Sequence, residues 1–62
     1  MLSTNLEMQE KHRSWLYTLL KIKKANQGVT VIGLDEAIEQ AIAVMDQSDV
    51  SWVEKVVGIK AV

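Results

Sequence analysis

The sequence predicts a mainly α-helical fold in a single small domain, residues 1–62, and three observations lead to this prediction. Apolar residues recur at spacings of three and four, which is the helical period. Good N-cap residues precede the periodic stretches, and Asn26 and Gly28, which can stop a helix, follow the first of them. The pattern gives a long N-terminal amphipathic helix over about residues 4–26, a short extended segment at 29–32, and two shorter helices over about 35–47 and 50–58.

The first helix has clear signals at both ends. Ser3, Thr4 and Asn5 are good N-cap residues, because their side-chain oxygens accept hydrogen bonds from free backbone N–H groups. Basic residues fill its last turn, where they complement the helix dipole, and Gly28 can adopt the left-handed conformation that stops a helix. A helix over about residues 4–26 follows.

The second and third helices are shorter and are separated by a polar connection. Asp35 is the expected N-cap of the second helix, and residues 47–51 are expected to form the connection. Val50, Val53, Val56 and Val57 share one apolar face of the third helix. Gly58 is interpreted as a helical glycine that weakens this helix by about 1 kcal/mol relative to Ala. Whether 56–62 is helix or strand stays open, because these residues are rich in β-branched side chains.

The small size of the chain predicts that it associates with other chains. A 62-residue chain buries only about 60% of the surface of its unfolded form, so its core alone is marginal. Small domains compensate with disulfides, metals or oligomerisation, and this sequence has no cysteine. A homodimer or larger homo-oligomer is therefore expected, with another protein as a further partner. No apolar run approaches the roughly 20 residues that span a bilayer, so a cytoplasmic protein without membrane contact is expected.

One face of the first helix is the candidate interface. Its apolar positions step by 4, 3, 4 and 3, as in a coiled-coil seam. Tryptophan is enriched among binding hot spots, which makes Trp15 and Trp52 candidates for contact with a partner. The preferred expectation is nevertheless that both are ordinary core residues. The candidate interface residues are Met8, His12, Trp15, Leu16, Leu19, Ile22 and Trp52.

Charge is distributed unevenly along the chain. Residues 1–28 hold five basic and two acidic residues, whereas residues 29–62 hold two basic and six acidic ones. Attraction between the two halves of the chain is the simplest explanation. A modest basic patch of Arg13, Lys21 and Lys24 is the alternative, with an acidic protein or nucleic acid as its partner.

Catalytic, cofactor and metal sites are not predicted. Nucleophilic catalysis needs a nucleophile beside a base, and the one histidine, His12, lies on an apolar helix face. Carboxylates at Asp35, Glu36 and Glu39 are explained by the N-terminus of the second helix. No lysine followed by serine or threonine comes after Gly33, so the phosphate-binding loop motif is absent. The chain is expected to be non-enzymatic, without a cofactor.

The order of segments after Gly28 resembles ribbon-helix-helix DNA-binding proteins. Val29-Thr-Val-Ile would be the strand, and the stretches Leu34–Met45 and Asp49–Val57 would be the two helices. The resemblance implies a dimeric transcriptional regulator whose paired strands enter the major groove. The strand lacks the basic and amide side chains that read base edges in that family. A small interaction or regulatory module that forms a homo-oligomer is therefore the expected function, and the DNA-binding regulator is the alternative.

Overall fold

Three helices make up the fold, as the sequence predicts. The computed structural model describes the backbone of residues 2–61 and the side chains of residues 10–61. The helices are α1 (Leu2–Ala25), α2 (Leu34–Ala43) and α3 (Gln47–Val57). Residues 2–61 contain no β-strand, and no helix among them is long and apolar enough to cross a bilayer.

The long helix α1 is the element on which both shorter helices pack. The start of α2 lies beside Lys23 and Asn26, and the turn after α2 lies beside His12, so α2 runs antiparallel to α1. Trp52, midway along α3, lies under Arg13, and Val57 at the end of α3 is hydrogen-bonded to Lys24 at the end of α1, so α3 runs in the same direction as α1. At 1.5 Å per residue α1 is about 36 Å long, roughly twice the length of either partner helix.

The core is small and entirely apolar. It takes two side chains from α1, two from α2, three from α3 and one from the segment after α3; these are Leu16, Leu20, Ile38, Ala41, Val50, Val53, Val57 and Ala61. No polar or charged residue within 10–61 is buried. The expectation that both tryptophans are core residues is wrong, since Trp15 is 41% and Trp52 is 53% exposed.

The segment between α1 and α2 consists of turns. The N–H of Val29 donates to the carbonyl of Asn26 at 3.0 Å, and the N–H of Leu34 donates to that of Val31 at 3.2 Å. Gly33, with φ +81°, is the N-cap of α2, a position that the sequence assigns to Asp35. Ile32 lies inside the second turn and is 98% exposed. Of the predicted extended residues 29–32, only Thr30 and Val31 are outside the assigned turns and bends.

The connection between α2 and α3 lies three residues earlier than predicted. Val44 and Met45 donate to carbonyls three residues back, at 3.3 Å each, and so close α2 with a tightened turn. Asp46 is extended and is the N-cap of α3. The polar residues 47–49, which the sequence assigns to the connection, form the first turn of α3, where Asp49 complements the helix dipole.

The C-terminal segment is held against the end of α1 by two adjacent lysines. The Lys24 Nζ donates to the carbonyl of Val57 at 2.8 Å, and the Lys23 Nζ donates to that of Ala61 at 3.1 Å. The N–H of Ala61 donates to Glu54 Oε2 at 2.7 Å. These bonds hold residues 58–61 close to the core and keep Ala61 buried.

Gly58 ends α3 in the left-handed conformation, with φ +88°. Its N–H donates to the carbonyl of Glu54 at 2.7 Å. The interpretation of Gly58 as a helical glycine is therefore wrong. The predicted effect on stability has the wrong sign as well: glycine stabilises this position relative to alanine, because it is the favoured residue at such a cap.

Candidate interaction surface

The seven candidate interface residues do not lie on one surface. Leu16 is in the core, and His12 and Leu19 are half-buried against the rest of the fold. Trp15 and Ile22 face outward from α1, whereas Trp52 lies on α3. The side chain of Met8 lies outside the described residues.

Trp15 and Ile22 form what we call the α1 stripe. They are seven residues apart, which is two helical turns, so they point to the same side of α1. Trp15 is 41% and Ile22 is 39% exposed. Thr18 and Leu19, the neighbouring positions between them, carry no charge. The stripe is thus a narrow, uncharged apolar surface on the longest helix.

His12 lies beside the turn between α2 and α3. It lines a small cavity with Val44, Met45, Asp46 and Asp49. The histidine is half-buried there, next to two carboxylate-bearing residues. Residues 10–61 hold no group of three or more histidine, aspartate or glutamate side chains suited to a metal ion. We assign to His12 a packing position between α1 and this turn.

A second surface, which we call the aromatic groove, lies between α1 and α3. Its apolar residues are Tyr17 of α1 and Trp52 and Val56 of α3, and all three are at least one-third exposed. The groove has a volume of about 340 Å³ around Trp52 and continues towards Lys24 past Tyr17 and Val56. The sequence pattern predicts Val56 on the apolar face of α3, and it gives no signal that distinguishes Tyr17.

Two cations lie over the aromatic rings of this groove. The guanidinium carbon of Arg13 is 5.6 Å from the centroid of the Trp52 ring, and the Nζ of Lys21 is 5.2 Å from that of Tyr17. Both distances are in the range of cation–π attraction, which is worth about 0.5–1 kcal/mol at exposed sites. The Tyr17–Lys21 pair could have been found from the sequence, because residues four apart are neighbours on a helix.

The predicted basic patch therefore forms one wall of the aromatic groove. Arg13 and Lys21 lie over its rings, and Lys24 reaches across to the last carbonyl of α3. Glu10 is the carboxylate that lines the same groove. The structure thus brings together the basic patch and Trp52, which sequence reasoning treated as separate features.

Comparison with known proteins gives no relative. No protein-family model matches the chain, and no curated protein or solved structure shows significant similarity to it. The resemblance to ribbon-helix-helix proteins stays a prediction.

Proposed function

We propose that this chain is a small non-enzymatic interaction module that associates with a second copy of itself through the α1 stripe. One observation carries the proposal. Among the side chains of residues 10–61, nine large apolar ones are at least one-third exposed, including both tryptophans, while the core holds eight residues. Two of these residues form the α1 stripe and three form the aromatic groove, and exposed apolar patches of this kind often mark interaction sites.

The α1 stripe is better suited to self-association than the aromatic groove. A two-fold symmetric dimer places the same patch of both copies face to face. Trp15 and Ile22 can meet their own symmetry mates without opposing like charges, since Thr18 and Leu19 between them are uncharged. The aromatic groove would instead place Arg13 and Lys21 near their own copies.

Association would also compensate for the small core. Five side chains have less than 2% of their surface exposed, and none of them is aromatic. For a domain of this size, burial of Trp15 and Ile22 against a second α1 adds apolar area that the single chain does not supply. A cytoplasmic location goes with this proposal as an expectation, since the chain carries no cysteine.

Sedimentation velocity over a range of protein concentrations tests the proposal. The wild-type chain should sediment as a dimer or larger species at micromolar concentration, and Ile22→Ala and Trp15→Ala should shift it towards monomer. Val56→Ala is the matched control, because it removes an exposed apolar side chain from the other surface. Circular dichroism should show that each variant keeps its helices. A wild-type chain that stays monomeric at 100 μM or more, or a control that dissociates as readily as Ile22→Ala, would contradict the proposal.

The DNA-binding alternative has less support. Ile32, the last residue of the predicted strand, lies in a turn with Gly33, and Lys24 donates to a carbonyl of its own chain. Binding to duplex DNA that weakens steeply as salt increases would favour this alternative, because counterion release dominates such binding. Fluorescence anisotropy with a labelled duplex at low salt would detect it.

A further inference from the structure

The aromatic groove differs from the α1 stripe in its charge. Arg13, Lys21 and Lys24 line it with one carboxylate, that of Glu10. Two of the three cations lie over aromatic rings, Arg13 over Trp52 and Lys21 over Tyr17. The groove therefore offers apolar surface and positive charge side by side. We propose that this groove binds an acidic amphipathic helix of another protein.

The shape of the groove fits a helix. Its walls are the side chains of two helices that run in the same direction, and residues 2–61 present no sheet edge to which a strand could be added. Along α1 the groove extends from Glu10 to Ala25, which is about 22 Å, or the length of a helix of about 15 residues. Laying the apolar face of a helix into such a groove is a common mode of peptide recognition.

The charges of the groove favour another protein over a second copy of this chain. Two grooves placed face to face would bring like cations together. The outer face of α2 is acidic through Asp35, Glu36 and Glu39, but its other exposed residues within the helix are Gln40 and Ala43, which are too small or too polar to fill an aromatic groove. The occupant therefore needs both acidic residues and large apolar ones, which α2 does not combine.

The positions of the cations set the spacing of the partner's acidic residues. Arg13 and Lys21 are eight residues apart on α1, a rise of about 12 Å. A docked helix that lies along α1 would match them with carboxylates seven or eight residues apart. Between these, apolar side chains at helical spacing would contact Trp52 and Tyr17, and aromatic residues of this kind are often the main contributors to binding energy.

The two tryptophans provide the readout for a direct test. The probe is a designed 15-residue helical peptide with leucines at spacings of three and four and glutamates eight residues apart; its matched control carries lysine in place of each glutamate. In a nitrogen-15 correlation spectrum each tryptophan gives one indole N–H signal. The acidic peptide should shift the signal of Trp52 and leave that of Trp15 in place, and the lysine peptide should shift neither.

A pair of charge variants separates the groove from general electrostatic attraction. Arg13→Gln combined with Lys21→Gln should weaken binding of the acidic peptide by about fivefold or more. Lys55→Gln combined with Lys60→Gln removes the same net charge from two exposed residues outside the groove and should change the affinity by less than about twofold. Raising the salt concentration should weaken binding to the wild-type chain.

Three outcomes would overturn the proposal. The first is that the lysine peptide binds as tightly as the acidic peptide. The second is that the Lys55 and Lys60 control loses as much affinity for the acidic peptide as the Arg13 and Lys21 variant. The third is that the Trp52 signal shifts when the protein is diluted without peptide. The last would mean that a second copy occupies the groove. The proposal rests on the chain being an interaction module, but it can fail independently of self-association. A monomeric chain that binds the acidic peptide would contradict only dimerisation through the α1 stripe. A dimeric chain that does not bind the peptide would contradict only the proposal for the aromatic groove.

Discussion

Replacing Gly58 by alanine should destabilise the fold, although alanine is the better residue inside a helix. Gly58 has φ +88°, and an L-residue in the left-handed region costs about 1–2 kcal/mol. A helical glycine would give the opposite sign, a gain of about 1 kcal/mol on substitution. The whole free energy of unfolding of a 62-residue domain is about 3–9 kcal/mol, so either change is large enough to measure.

A second cost arises from the neighbour of Gly58. A β-carbon at this position would lie 3.0 Å from the Nζ of Lys24. The amine can move by a few tenths of an ångström, but it would then strain its 2.8 Å hydrogen bond to the carbonyl of Val57. Loss of that bond adds up to about 1 kcal/mol.

Thermal and urea unfolding followed by circular dichroism at 222 nm measure the effect. The two costs together are about 1–3 kcal/mol, so Gly58→Ala should lower the melting temperature by about 4–24 °C, since about 4–8 °C corresponds to 1 kcal/mol at this chain length. Gly28→Ala is the matched control, because its φ is +84° and nothing lies within 4 Å of the added carbon. The difference between the two variants isolates the displacement of Lys24, and it should vanish when Lys24 is replaced by methionine.

The direction of the change in melting temperature in Gly58→Ala shows whether Gly58 is a left-handed cap or a residue inside the helix. If the alanine variant melts at a higher temperature than the wild-type chain, α3 continues through residue 58 and the left-handed cap does not form in solution. If neither glycine variant changes the melting temperature, the left-handed conformation does not cost about 1–2 kcal/mol at either site.

Two further predictions concern the core and the C-terminal segment. Leu20→Ala removes a side chain with no exposed surface, so it should cost about 2–5 kcal/mol and leave much of the population unfolded at 25 °C, as urea titration would show. Glu54→Ala removes the acceptor of the Ala61 N–H and should cost about 1 kcal/mol, with faster hydrogen exchange at that amide. Glu54→Gln, which keeps an acceptor oxygen, should restore most of the protection, and equal exchange in both variants would contradict the assigned bond.

The helices could be predicted because their periodic pattern is local. The predicted end of α1, at about residue 26, is one residue from the observed end at Ala25, since the basic last turn and Gly28 are both sequence signals. The start of α3 was missed because polar residues 47–49 suit a loop and a first helical turn equally well. Val44 and Asp46 decide between the two through their backbone conformations, which depend on how the helices pack.

The exposed aromatic residues could not be placed from the sequence. A helical wheel gives the relative directions of Trp15 and Leu16 but not which of them points to the core. That choice depends on the crossing of α2 and α3 over α1, and it places Leu16 inside and Trp15 at the edge. For the same reason the wheel could not separate Val56 from Val57, of which the second is buried and the first lines the aromatic groove.

The adjacent lysines at the end of α1 should make the fold sensitive to acylation of their amines. Lys23 and Lys24 each donate an ammonium hydrogen to a backbone carbonyl near the C-terminal end of the chain. An acetyl group removes the positive charge and leaves a single N–H donor on a bulkier head. The same enzyme or reagent acting on both residues would release Val57 and Ala61 together, and with them one edge of the core and the end of the groove at which Lys24 lies.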